Sequence, residues 1–175
     1  MSTAFCSRCA TPMAATLLGG REREQCPACG FVAWRNPAPV GLAVIEHEGK
    51  LVLIRRREPP LADYWAPPAG YVECGESVPQ AVIREAREEC GLDIALDGLI
   101  GVYSQAEVEV LILAYRARSV GGRLRAGDDA SEVRLFAPDQ LPLQVAPDGG
   151  TATDLWFCGV IEDTIAQWRP APAPV

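Results

Sequence analysis

Long apolar runs are missing from this chain, and so is any excess of positive charge. No stretch approaches the roughly 18 to 20 consecutive apolar residues that a membrane-spanning helix needs. The opening residues, MSTAFCSRCA, hold no basic segment leading into an apolar one. A secretory leader is therefore not expected, and a cytoplasmic location follows by default. Lysine and arginine number 16 against 23 aspartates and glutamates, a formal net charge of −7. Polymeric nucleic acid is held mainly by cations meeting phosphates, so it is not an expected partner. No basic or aromatic-interleaved stripe is present either. A small anionic ligand stays open, because a metal ion can supply positive charge locally. The single histidine, His47, sits beside a turn and reads as a surface residue, which leaves no histidine base to propose.

What is present suits a folded chain. Of 175 residues, 49% are apolar and 22% charged, enough for one ordinary domain and a small appendage. Four of the seven cysteines form two pairs, Cys6-x2-Cys9 and Cys26-x2-Cys29, separated by 16 residues. That spacing fits a tetrahedral four-thiolate zinc site. Four thiolates leave no open coordination position, so such a zinc is structural. The competing reading is a redox or disulfide pair. Cys74, Cys90 and Cys158 are scattered.

Residues 1–35 form the expected ribbon, residues 36–170 the main domain, and residues 171–175 a Pro/Ala tail. The boundary falls at Asn36-Pro37-Ala38-Pro39. Val40 to Glu46 and Leu51 to Arg57 read as strands joined by a turn at Glu48-Gly49-Lys50. Ser77 to Cys90 reads as a helix. Ser77 and Gln80 form a capping box, Pro79 lies in the first turn, and Gly91 stands at the C-terminal cap. Further strands are expected at Ile94 to Ser104, Val108 to Arg118 and Glu132 to Ala137. The polar loop Ser119 to Ser131 precedes the last strand, and a closing helix is expected over Thr151 to Trp168. This order predicts an α+β layered fold.

The helix carries the chemistry. Glu85, Glu88 and Glu89 stand at i, i+3 and i+4 and share a face. They lie near the helix C-terminus, where the macrodipole disfavours negative charge. Carboxylates gathered there repel one another unless a cation joins them, and hard oxygen ligands suit Mg²⁺ or Mn²⁺. The bland alternative is a solvated face with Arg84 paired to Glu88.

Gly70, Glu76, Arg84, Glu85, Glu88, Glu89 and Gly91 match every fixed position of Gly-x5-Glu-x7-Arg-Glu-U-x-Glu-Glu-x-Gly-U, with Ala86 and Leu92 at the U positions. The chain resembles a Nudix hydrolase. The resemblance implies a mixed β-sheet sandwiched between helices and hydrolysis of a phosphate anhydride in a nucleoside diphosphate linked to another group. It implies Glu85, Glu88 and Glu89 as ligands of a catalytic Mg²⁺ or Mn²⁺, joined by the Gly70 carbonyl. Arg84 would orient Glu85, and Glu76 would support the loop or a further metal. A homodimer is implied by the same resemblance.

The ribbon followed by the box resembles two Nudix groups, the NADH pyrophosphatases and the hydrolases that act on FAD or ADP-ribose. The first carries Ser-Gln-Pro-Trp-Pro-Phe-Pro-x-Ser after the box. Here Ser104-Gln105 runs into Ala106-Glu107-Val108, so the second group is favoured. For the proton-accepting carboxylate, Glu85 lies inside the box, and Glu132 is preferred outside it, with Asp128 and Asp129 as alternatives. Trp65 reads as packing in preference to substrate stacking. Of Arg55, Arg56 and Arg57, one could reach phosphates. Two rival readings are a nucleotide-sensing module that lost turnover and an RNA-associated protein using the ribbon.

Overall fold

The computed structural model describes residues 5–59, 61–104 and 109–142, together with Val160, Asp163, Thr164 and Ala166. The chain divides into two compact units, Met1–Asn36 and Pro37–Val175.

The first unit contains three strands that the sparse apolar pattern of the segment concealed. β1 (Ala14–Leu18), β2 (Arg21–Gln25) and β3 (Val32–Ala33) form an antiparallel sheet. Gly19 and Gly20 make the tight β1–β2 turn with φ of 58° and 76°, values open to glycine because it lacks a Cβ. Cys6, Met13 and Cys26 are its buried residues, with Phe31 and Ala33 packed against them.

The second unit is a mixed seven-stranded sheet. Its strands are β4 (Ala38–His47), β5 (Lys50–Arg56), β6 (Trp65–Ala66), β7 (Ala69–Tyr71), β8 (Leu92–Tyr103), β9 (Val110–Gly122) and β10 (Ala130–Phe136). The main path runs β10-β5-β4-β9-β8, with β6 against β5 and β7 against β4. β4 and β9 pair in parallel. The β4–β5 hairpin turns at Glu48 and Gly49, with φ of 53° and 73° between the paired His47 and Lys50. β9 runs further than expected and takes in Ser119 to Gly122, so the connection to β10 is shorter than the predicted loop.

The one α-helix of regular length among the described residues, α1 (Val78–Cys90), has the expected caps. Gln80 Oε1 accepts the Ser77 amide at 2.8 Å, completing the capping box. Gly91 adopts a left-handed φ of 74° and returns its amide to the Arg87 carbonyl. Val82, Ala86 and Cys90 recur at helical spacing and pack with Ala43, Ile45, Val52 and Ile54 on one sheet face. The opposite face carries Val40, Leu42, Val44, Leu51 and Ile112, where the helical, buried Val160 packs. Most of the expected helix over Thr151 to Trp168, and the whole tail, lie outside the described residues. No helix of the described residues is long and apolar enough to cross a membrane.

Candidate active site

Two glycines let α1 approach the sheet. Gly41 on β4 pairs directly with Gly70 on β7. A Cβ built on Gly41 would meet Val82 Cγ2 at 2.7 Å, and one on Gly70 would meet Glu85 Oε1 at 2.0 Å. Val82 and Glu85 are three residues apart on α1, so each settles over one glycine. The absence of a side chain at Gly70 is what makes room for the carboxylate.

Arg84 ties the box together. Its Nε and Nη2 donate to the two oxygens of Glu76 at 3.1 and 2.7 Å, while Nη1 donates to Glu85 at 2.7 Å and Glu88 at 2.9 Å. Nη2 also donates to the Tyr71 carbonyl at 3.1 Å. Hydrogen bonds from Arg84 and from the Glu73 amide hold the Glu76 carboxyl below its usual range. Glu76 is thereby a clasp between the β7–α1 loop and the helix.

Glu89 takes a different environment. It falls on the same helical face as Val82, Ala86 and Cys90 and is 5% exposed. Its Oε2 accepts the Ala69 amide at 2.8 Å. Burial pushes its carboxyl up to about 8, against that hydrogen bond, with the negative charges of Glu85 and Asp129 adding to the rise. Burial also raises Glu85, and Arg84 opposes the rise.

The segment after β9 straps onto the C-terminus of α1. The amides of Arg123, Arg125 and Gly127 donate to the carbonyls of Gly91, Cys90 and Glu89 at 3.0, 3.0 and 2.9 Å. These are among the acceptors that a helix end leaves without partners. A Cβ on Gly127 would lie 1.7 Å from the Glu88 carbonyl oxygen, so only glycine fits. From the other side, the Arg57 amide donates to the Asp129 carbonyl and Arg57 Nη2 to that of Ala130, both at 3.0 Å. Asp129 is thus held by its backbone between α1 and β5.

Two clefts open onto this arrangement. One, of about 590 Å³, is lined by Glu88, Arg125, Gly127 and Asp128 among others. The second, of about 340 Å³, is lined by Arg56, Gly70, Tyr71 and Glu73 among others. Glu85, Glu89 and Asp129 line both. Glu132 lines neither; it lies on β10 opposite Arg55 and is paired with Arg134. Trp65 packs edge-on against Phe136 with ring centroids 5.0 Å apart. His47 is half-buried, with Nδ1 2.6 Å from the Ser119 hydroxyl oxygen. Glu132 stands out in the sequence because it follows the polar loop and opens a strand; Asp129 is fixed by main-chain bonds, which no motif records.

The donor set fits a hard divalent cation. Buried Glu89 and half-buried Glu85 share a cleft with Asp129, and one amide hydrogen bond offsets little of the burial cost of Glu89. The four cysteine sulfurs all lie within 4.8 Å of one another. Cys9 is 3.4 Å from Cys26 and 3.6 Å from Cys29, and Cys6 is 3.6 Å from Cys29. A disulfide needs about 2.05 Å, while a tetrahedral zinc at about 2.3 Å spaces its sulfurs about 3.8 Å apart. The two knuckles are built alike. The Cys6 and Cys26 carbonyls each accept an amide four residues on, from Ala10 and Gly30, both at positive φ. The N-terminal cluster is therefore consistent with a small zinc ribbon.

A family model for the NUDIX domain matches residues 35–155. The chain belongs to the Nudix family. It is 40% identical over 111 residues to the ADP-ribose pyrophosphatase of Methanocaldococcus jannaschii, covering 61% of this chain and 66% of that one. It is 35% identical over 140 residues to the NAD-capped RNA hydrolase NudC of Pseudomonas aeruginosa, covering 79% of this chain and 49% of that protein. The Nudix chain thus spans about half to two thirds of the length of these relatives. The crystal structure of a NUDIX hydrolase from Nitrosomonas europaea superposes with a TM-score of 0.79 at 26% identity, covering 95% of this chain and 94% of that one.

Proposed function

We propose that this Nudix protein is a Mg²⁺- or Mn²⁺-dependent pyrophosphohydrolase that cleaves a nucleoside diphosphate linked to another group, with ADP-ribose or FAD as substrate. The observation that carries the reading is the meeting of Glu85, Glu89 and Asp129 where two clefts join, beside the Arg84 clasp. Glu85, Glu88, Glu89 and the Gly70 carbonyl would hold the divalent ion. When bound, the ion neutralises phosphate charge and makes water a stronger nucleophile. Asp129 accepts the proton of the attacking water; its fixed backbone and its place in both clefts favour it over Glu132. Glu85 is the alternative acceptor. Arg84 positions Glu85 and Glu88 from behind the site. Water attacks phosphorus, the anhydride bond to the leaving phosphate breaks, and two phosphomonoesters result.

ADP-ribose is favoured by the similarity to the Methanocaldococcus pyrophosphatase. Similarity to the NudC relative supports a second reading, an NADH pyrophosphatase. The missing Pro-Trp continuation after Ser104-Gln105 weighs against that reading, and the net charge of −7 weighs against a polymeric RNA substrate.

The experiment is AMP release from ADP-ribose, FAD and NADH with Mg²⁺ or Mn²⁺, for the wild type and for Glu88→Gln and Glu89→Gln. Release from ADP-ribose or FAD that falls at least ~100-fold in both variants supports the reading. Unchanged turnover in either variant removes that carboxylate from the site, and preference for NADH selects the second reading.

A further inference from the structure

We infer that Arg56 is the side chain that grips the substrate's diphosphate, and that the diphosphate therefore lies in the smaller cleft, between Gly70 and Asp129. The inference rests on the phosphate-anhydride reading of the site.

The three consecutive arginines are chemically alike, and strand geometry separates them. Side chains alternate along β5. Val52 and Ile54 pack on the α1 side, and Leu51 and Leu53 on other faces. The alternation carries Arg56 to the α1 side, towards the carboxylates. Arg55 is turned away, its guanidinium paired with the Asp63 carboxylate at 3.1 Å and bonded to the Asp63 carbonyl at 3.2 Å. Arg57 is committed to the Ala130 carbonyl at 3.0 Å.

Arg56 lines the smaller cleft beside Gly70, Tyr71, Glu85, Glu89 and Asp129. Its Nε is the one buried side-chain polar atom among the described residues with no hydrogen-bond partner. Leaving such a donor unmade is costly, so an unfilled one in a cleft calls for a reason. A structural counter-ion for Glu89 is the competing reason. No described ion pair closes between the two, and the Arg56 charge is only a secondary influence on Glu89, behind burial, the Ala69 amide and the Glu85 charge. A guanidinium presents a rigid fork of N–H donors that matches two phosphate oxygens at once. A diphosphate in the smaller cleft would draw the Arg56 guanidinium, Nε included, out onto two phosphate oxygens and bring the attacked phosphorus to Glu85, Glu89 and Asp129.

The test compares wild type, Arg56→Met and Arg56→Lys in Mg²⁺ buffer. Four quantities are read: affinity for inorganic pyrophosphate, KM and kcat for ADP-ribose, and the melting temperature without ligand. Loss of a charge-assisted fork predicts a fall in pyrophosphate affinity of about 10- to 100-fold for Arg56→Met. KM rises by a comparable factor and kcat falls less. Arg56→Lys recovers part of the affinity, because it keeps the charge without the fork. The melting temperature holds or rises in Arg56→Met, since the substitution removes no native hydrogen bond of Nε. Unchanged pyrophosphate affinity and KM in both variants overturn the inference, as does a lower melting temperature with affinities intact. A wild type that binds no pyrophosphate overturns it too. If the wild type ignores ADP-ribose yet Arg56→Met still loses pyrophosphate, Arg56 keeps its role and the substrate reading alone fails.

Discussion

The Gly70 backbone and the Glu85 carboxylate share one small volume: a methyl group on Gly70 would lie 2.0 Å from Glu85 Oε1. The obstructed atoms are the far end of a flexible side chain, so Gly70→Ala displaces the carboxylate more than it strains the fold. The expected outcome is a fall in kcat of at least ~100-fold, with the melting temperature within a few degrees of wild type. Parallel kinetics and thermal melts check this; large destabilisation would make Gly70 a packing residue first.

Asp129 and Glu132 are three residues apart, and only Asp129 reaches the clefts. Asp129→Asn is expected to lower kcat by about 100-fold or more, in line with the usual contribution of a general base. Glu132→Gln is expected to change kcat less than threefold, because the residue is engaged with Arg134. Single-turnover kinetics of both variants across pH decide between them. Equal losses would return Glu132 to consideration.

The protonation of Glu89 ties stability to pH. Its carboxyl titrates near 4.5 when unfolded and, raised by burial, at about 8 when folded. Between those values the folded state binds the extra proton, so the metal-free protein loses stability as pH climbs from about 4.5 to 8. The full benefit of the neutral carboxyl is present below the lower value and gone above the upper one. Each pKa unit is worth about 1.4 kcal/mol, so the total is a few kcal/mol. Denaturation of Glu89→Gln should show a flatter dependence over the same range, and Mg²⁺ should bind the wild type more tightly as pH rises.

The ribbon is expected to depend on metal for its fold. Its buried set is Cys6, Met13 and Cys26, too little apolar surface to hold three short strands by itself. Cys26→Ala, or a strong zinc chelator, is expected to unfold residues 5–36 while α1 and the large sheet persist. Amide hydrogen exchange, read alongside a stoichiometry of one zinc per chain, tests this. Retained protection in the ribbon after complete zinc removal would refute it.

Much of this site is legible in the sequence because its rules are local. Helical spacing puts Glu85, Glu88 and Glu89 within reach of one another, and a capping box and a C-terminal glycine delimit the helix around them. Spacing also gathers the four cysteines. The same periodicity marks Glu89 as the carboxylate on the apolar face, a signal carried by Val82, Ala86 and Cys90 that is lost when the three glutamates are treated as equivalent. The ribbon strands escape notice because the small sheet buries few apolar residues and so leaves little alternation.

The sequence by itself determined which groups the chain brings to its chemistry: a run of carboxylates on one helix turn, an arginine to clasp them, and four thiols at a spacing that fits zinc. These depend on contacts within a few residues. The tertiary structure alone decided which arginine faces the carboxylates and which loop acid joins them. Arg56 is selected by the face of β5 that α1 covers, and Asp129 by main-chain bonds from a strap to the helix end and from Arg57. Both choices join segments far apart in the chain, and identical neighbours such as Arg55 and Arg57 become distinct only when the sheet is assembled.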